Sequence, residues 1–252
     1  MSELRRHLTR ALPASIRRRI RMRWRSRPAV PPPGSVRLGD LERVTPLDGR
    51  WGFGRGRPVD RRFIEDFLER HRSDVRGRVL EIADDTYARR FGTDLERVDV
   101  LHRVEGNPKA TIVGDLQDAP HIPDSSFDCA IVTQTLQLVW DLPAALATLH
   151  RILKPGGVLL ATVPGISKIS GHDAENWGDY WRFTDGSARR LAEGAFGAGA
   201  AEIETFGNVL SATAFLYGMA DRELADDQLD RHDGIYQVVV AIRAIRRGSS
   251  RR

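Results

Sequence analysis

The run from Gly114 to Pro164 decides the fold. It opens with Gly114-Asp115-Leu116, continues through His121-Ile122-Pro123-Asp124-Ser125-Ser126-Phe127-Asp128, and closes around Leu153-Lys154-Pro155-Gly156-Gly157-Val158-Leu159. Phe127 to Thr133 is an apolar run of strand length, and Leu142 to Leu153 carries helical apolar spacing. Lys154-Pro155 stops that helix, because proline cannot continue the ladder. Gly156-Gly157 then permits the positive φ of a tight turn into a second strand, Gly157 to Val163. A strand, a helix and a strand joined so closely predict a right-handed parallel crossover.

The same alternation extends both ways. Upstream, Arg78 to Ile82, Arg97 to His102 and Thr111 to Val113 read as strands. Downstream, Ala200 to Thr205 and Ile235 to Ile242 read as two more. Continuously apolar strands separated by helical segments indicate a sheet covered on both faces. The expectation is an α/β, doubly wound, mostly parallel seven-stranded Rossmann-like sheet over residues 58–245. Its ligand crevice lies at the carboxyl ends of the strands. Pro58 opens an amphipathic helix whose apolar face is Val59, Phe63, Ile64, Phe67 and Leu68. Gly207-Asn208 leads into a helical insertion, Val209 to Asp230, suited to cover a substrate or to form a homodimer surface.

The flanks differ in composition. Residues 1–29 form an arginine-rich tail, 30–57 a Pro/Gly-rich linker and loop starting at Val30-Pro31-Pro32-Pro33-Gly34, and 246–252 a C-terminal tail. The net charge of +5 is concentrated in residues 1–27, with ten arginines against Glu3; the rest holds 29 basic and 33 acidic residues. Leu4, Leu8, Leu12, Ile16, Ile20 and Trp24 recur every four residues among those arginines. Such a segment suits an anionic membrane surface or RNA, or stays a solvated tail, with nucleic acid the least favoured of the three. The single cysteine, Cys129, excludes a disulfide framework within one chain. No run is long and apolar enough for a membrane span, and arginines interrupt the N-terminus where a secretory signal would be apolar. The expectation is a cytoplasmic protein, peripheral to the inner membrane face if the tail binds lipid. No paired Cys or His shows metal-ligand spacing, and neither a G-x-S-x-G elbow nor a phosphate loop is present.

The Gly114–Asp128 segment and Leu153–Leu159, in that order, resemble the corresponding segments of class I S-adenosylmethionine-dependent methyltransferases. Val79–Gly92, Thr133–Gln137 and Trp177–Thr184 are also similar to a subgroup of bacterial methyltransferase-like proteins. The resemblance implies S-adenosyl-L-methionine as cofactor, with adenine beside Asp115 and Leu116. Family members usually follow the first strand with a glycine-rich turn. Here Glu81-Ile82 leads into Ala83-Asp84-Asp85-Thr86-Tyr87, keeping Glu81 and the small Ala83 but no glycine. Glu81, Ala83 and Asp84 are the candidates at this loop. Asp99 lies 18 residues beyond Glu81, near the spacing at which doubly wound folds place an acid on ribose hydroxyls. His102 and Glu105 are the alternatives.

Gln134, after the fourth strand, is expected to face the reactive end of the cofactor. The segment 167–184 is expected to form the acceptor wall. There His172 near Asp173 is a candidate base, with Trp177, Trp181 and Arg182 contacting substrate. These residues suit a small-molecule or saccharide-linked acceptor methylated at oxygen. The altered loop and the basic tail leave open a catalytically silent scaffold on the same fold.

Overall fold

A computed structural model describes residues 30–248. The arginine-rich tail through residue 29 and residues 249–252 lie outside the described residues. Residues 30–44 belong to a separate small unit, with a turn closed by Ser35 N–H on the Pro32 carbonyl and one short 3-10 turn, Gly39–Glu42.

The larger unit, from Thr45, is built on a seven-stranded sheet. In chain order its elements are α1 (Val59–Arg70), β1 (Gly77–Ile82), α2 (Thr86–Phe91), β2 (Leu95–His102), β3 (Ile112–Val113), β4 (Phe127–Thr133) and α3 (Leu142–Ile152). They continue with β5 (Leu153–Pro164), α4 (Gly171–Asn176), α5 (Asp185–Phe196), β6 (Ala201–Phe206), α6 (Val209–Tyr217), α7 (Asp226–Leu229) and β7 (Val239–Ile245). The strand order is β3-β2-β1-β4-β5-β7-β6. β1 to β5 pair parallel, and β7 runs antiparallel between β5 and β6. The order reverses between β1 and β4, so the crevice expected at the switch point opens beyond Ile82 and Thr133.

Alternate residues of each strand feed two separate cores. Leu80, Ala130, Val132, Leu159, Ala161, Val240 and Ile242 pack on one face beneath α3 and α5, with Leu146, Leu149 and Phe196. Val79, Cys129, Ile131, Val158, Leu160 and Ala241 pack on the other, against Phe63, Ile64 and Phe67 of α1 and Phe215 of α6. Burial on both faces is why these strands read as unbroken apolar runs rather than alternating ones. The helices are capped by their own sequence: Asp141 accepts the Ala144 N–H, Thr184 the Ser187 N–H, and buried Asn208 the N–H groups of Leu210 and Ser211.

Three sequence boundaries move. β5 starts at Leu153, straight from α3, rather than at Gly157. The last strand starts at Val239 rather than Ile235; the chain first turns at Asp233–Tyr236, where the Tyr236 N–H reaches the Asp233 carbonyl. Residues 45–57 are built into the domain and are not a linker. Leu47 N–H donates to the Tyr217 carbonyl, Pro58 bridges to Ala220, and Arg57 ion-pairs with both Glu65 and Asp221. Gly218 makes this possible. At φ +71 it lies against Asp48, whose carbonyl oxygen would stand 1.9 Å from any Cβ there. Among the described residues no helix is long and apolar enough to cross a membrane.

Candidate active site

A cleft of about 260 Å³ opens at the carboxyl ends of β1, β2 and β4. Its floor comes from Ile82 and Ala83 at the end of β1, Leu101, His102 and Arg103 at the end of β2, Gly114 to Gln117 after β3, and Thr133 to Thr135 at the end of β4.

Ala83 is the one residue of the non-glycine loop that lines the cleft, and it carries φ +70. An alanine in this region is strained; it persists here because the Asn107 amide holds its carbonyl at 2.7 Å and its N–H bonds the Leu101 carbonyl. The chain thus keeps a left-handed trace suited to glycine while presenting only a methyl group. The acids beside it turn to other tasks. Asp84 caps the Thr86 N–H, and Asp85 ion-pairs with Arg89 and Lys109. The placement of Asp84 against cofactor is therefore corrected.

Glu81 is also outside the cleft. It is 3% exposed, and its two oxygens receive the Tyr87 and Ala88 N–H groups at 3.0 and 2.7 Å, tying β1 to the start of α2. Burial pushes its carboxyl up to about 7, against the two amides that favour the charged form; the nearby Asp84 and Asp85 push the same way as burial.

Asp99 is likewise corrected. β1 and β2 pair Leu80 with Asp99 and Ile82 with Leu101, so Asp99 sits inside the strand, short of its carboxyl end. Its buried carboxylate is taken by Arg78, Arg97 and the Thr111 hydroxyl at 2.7–3.0 Å. These partners hold it below the usual carboxylate range despite the burial penalty. The cleft position at the end of β2 belongs to His102 and Arg103. His102 is one of the alternatives left open by spacing, and strand register would have selected it.

Asp115 and Leu116 do line the cleft. Asp115 accepts the Gln117 N–H at 2.9 Å and pairs with Arg103 at 3.0 Å. Trp177 joins this cleft rather than an acceptor wall. It packs edge-to-face on His102, centroids 5.5 Å apart, and the Arg103 guanidinium donates to its carbonyl. Gln134, at φ +46, is fixed through its backbone: its N–H bonds the Thr162 carbonyl and its carbonyl receives the Gln137 amide. Its buried side-chain Nε2 has no hydrogen-bond partner among the described residues.

A second cavity shares Gln134, Leu138 and Asp173 with the first. Trp51, Phe53, Asp60, Lys168, His172 and Phe215 are among its other walls. The proposed acceptor residues divide here. His172 is exposed and lines the cavity, with its carbonyl bonded by the Asn176 amide. Arg182 lines it too, but its guanidinium is committed to Asp179 and to backbone carbonyls of Ser167, Lys168 and Trp181. Trp181 lines neither cavity. It stacks on Trp140 in a separate surface groove and donates to the Val139 carbonyl. Trp51, Phe53 and Asp60 enter from a segment that sequence reading assigned to linker and helix start, where no periodicity announces a wall.

Residues 75–161 match the family model described as "Methyltransferase domain". The malonyl-[acyl-carrier protein] O-methyltransferase of Serratia marcescens is 36% identical over 75 residues, 30% of this chain and 27% of that protein. The arginine-hydroxylase NDUFAF5 of Rattus norvegicus is 28% identical over 130 residues, 51% of this chain and 32% of that protein. The chain spans a third or less of the length of the curated relatives it matches. A putative sarcosine dimethylglycine methyltransferase from Galdieria sulphuraria superposes with TM-score 0.50 at 16% identity, covering 75% of this chain and 90% of that one. The matched segment and the seven-stranded, mostly parallel sheet around it are similar to a methyltransferase domain.

Proposed function

We propose that this chain transfers the methyl group of S-adenosylmethionine to a hydroxyl of a small-molecule or saccharide-linked acceptor. The observation that carries the reading is Gln134, which stands where two cavities meet, with a buried amide nitrogen lacking a partner.

The residues of the first cleft fit the cofactor. Asp115 and Leu116 would hold the adenine, the carboxylate accepting from its amino group. His102 would meet the ribose in place of an acid, with imidazole nitrogens able to accept or donate. Ala83 would let the backbone approach closely, and Gln134 would orient the reactive end. When bound, the cofactor supplies an already activated methyl group on sulfur, so the protein contributes chiefly proximity and orientation. Trp177 closes the side of the cleft and excludes water there. Calorimetric titration with S-adenosylmethionine tests the reading; absence of binding at millimolar ligand would remove it.

The competing reading is a catalytically silent binding module. The Arg103–Asp115 pair favours it, since the arginine occupies the carboxylate that adenine would use. The same titration separates the two. For residues 1–27 we infer a contact with anionic membrane. Full-length protein should then sediment with phosphatidylserine vesicles, and a chain lacking residues 1–27 should not.

A further inference from the structure

Three buried polar atoms without partners belong to residues in the wall of one cavity. Among the described residues Asp60 Oδ1, Gln137 Oε1 and Gln134 Nε2 make no hydrogen bond, and all three side chains line the second cavity. Asp60 and Gln137 are each 8% exposed. Unpaired groups at such depth are costly, and a native structure keeps them where something else satisfies them.

Their types describe the ligand: two acceptors and one donor. A phosphate or carboxylate offers only acceptors, and an ammonium only donors. Adjacent hydroxyl groups both donate and accept. Charge agrees with a neutral ligand. Arg61 is paired with Asp60 Oδ2 at 3.1 Å and Arg182 with Asp179, while the Lys168 ammonium lies over the Trp51 ring, 3.4 Å from its centroid, near Asp173 and Asp179. Aromatic surface from Phe53 and Phe215 suits the apolar face of a ring.

We propose that Asp60, Gln137 and Gln134 form the acceptor subsite for a neutral pyranoside with vicinal hydroxyls, and that Asp60 Oδ1 receives the proton of the hydroxyl that is methylated. The second half rests on the methyltransferase reading above. The acceptor O–H bond breaks and its electron pair forms the new bond from oxygen to the methyl carbon. The carbon–sulfur pair remains on sulfur, leaving a neutral thioether, and the proton neutralises the Asp60 carboxylate before passing to solvent. Burial holds that carboxyl above the usual range, the Arg61 guanidinium opposing, which suits a proton acceptor. Asp60 takes the role that sequence reading offered to the exposed His172.

The test uses the full chain and the methyl α-pyranosides of glucose, mannose, galactose and rhamnose, with glucose 6-phosphate as the anionic control. Saturation-transfer NMR should detect binding of at least one neutral pyranoside in preference to the phosphate. Asp60→Asn and Gln137→Leu should each weaken it by about tenfold. If Asp60→Asn does not fold, Gln137→Leu and the shift of the wild-type Asp60 carboxyl carbon on adding pyranoside decide the matter. No binding, preference for the phosphate, or equal affinity in both variants overturns the subsite. With S-adenosylmethionine present, the methyl-transfer rate should rise with pH through the Asp60 titration, and Asp60→Asn should lose that limb. An unchanged profile overturns the proton role. Pyranoside binding without S-adenosylmethionine binding would remove the methyltransferase reading and the proton role together while leaving the subsite standing.

Discussion

Replacing Glu81 with glutamine isolates one carboxyl whose charge the fold resists. In the folded chain this group sits near 7 against an ordinary 4.5, because burial and the neighbouring Asp84 and Asp85 outweigh the Tyr87 and Ala88 amides. A raised acid binds a proton in the folded state that the unfolded chain has already released. Stability is therefore greatest below the ordinary value and falls as pH rises toward the folded one. At 1.36 kcal/mol per unit, the shift corresponds to about 2–3 kcal/mol between pH 5 and pH 8. Glutamine does not titrate and resembles the protonated acid. Urea unfolding of wild type and Glu81→Gln at pH 5, 6, 7 and 8 gives the difference free of all other titrations. The two should be similar at pH 5, with the variant gaining about 2–3 kcal/mol over wild type by pH 8. A difference that stays flat with pH, or that turns against glutamine as pH rises, would refute the account of Glu81 as a strained structural tie.

Asp115→Ala should weaken S-adenosylmethionine by about 1–2 kcal/mol in calorimetry if its adenine contact is real; unchanged affinity removes that assignment. Asp99→Ala should cost about 1–2 kcal/mol of stability in urea, since it removes the buried partner of Arg78, Arg97 and the Thr111 hydroxyl, while cofactor affinity changes less than roughly twofold. A large loss of affinity without loss of stability would return Asp99 to the site. Gly218→Ala should cost about 3 kcal/mol by thermal or urea unfolding, because its Cβ would meet the Asp48 carbonyl at a positive φ. A silent substitution there would mean that residues 45–57 do not pack as described.

The sheet was legible because burial on both faces writes itself as unbroken apolar runs; the turn expected at Lys154-Pro155-Gly156-Gly157 is instead the first part of β5, which follows directly on the helix ending at Ile152. Ala83 and Gln134 were legible as cleft residues because each follows directly on a strand end, and Asp115 and Leu116 because they lie within three residues of one. Asp99 was misplaced because distance along the chain does not fix register. Pairing Ile82 with Leu101 puts the strand end three residues further on, at His102. Trp181 and Arg182 carry the chemistry expected of a binding wall, but Val139 and Asp179 already consume it. Asp60 could not be read at all. Its burial comes from a segment without periodicity, residues 45–57, closing on the end of α6 and on Ala220, a contact between positions more than 150 residues apart.

The loss of glycine after β1 now has a structural account. The conformation expected of that turn is retained by Ala83, held at positive φ through its carbonyl and its N–H. The two acids that follow are drawn outward, one to cap α2 and one to ion pairs with Arg89 and Lys109. Their fields still reach Glu81 and help to raise its carboxyl, so the cost of the substituted loop falls on the strand-to-helix tie rather than on the cleft. In the cleft itself the change in charge is at β2, where His102 and Arg103 stand instead of an acid and Arg103 neutralises Asp115. Any weakening of cofactor binding relative to an acid-bearing site should therefore trace to this histidine–arginine pair, and the missing glycines should contribute little to it.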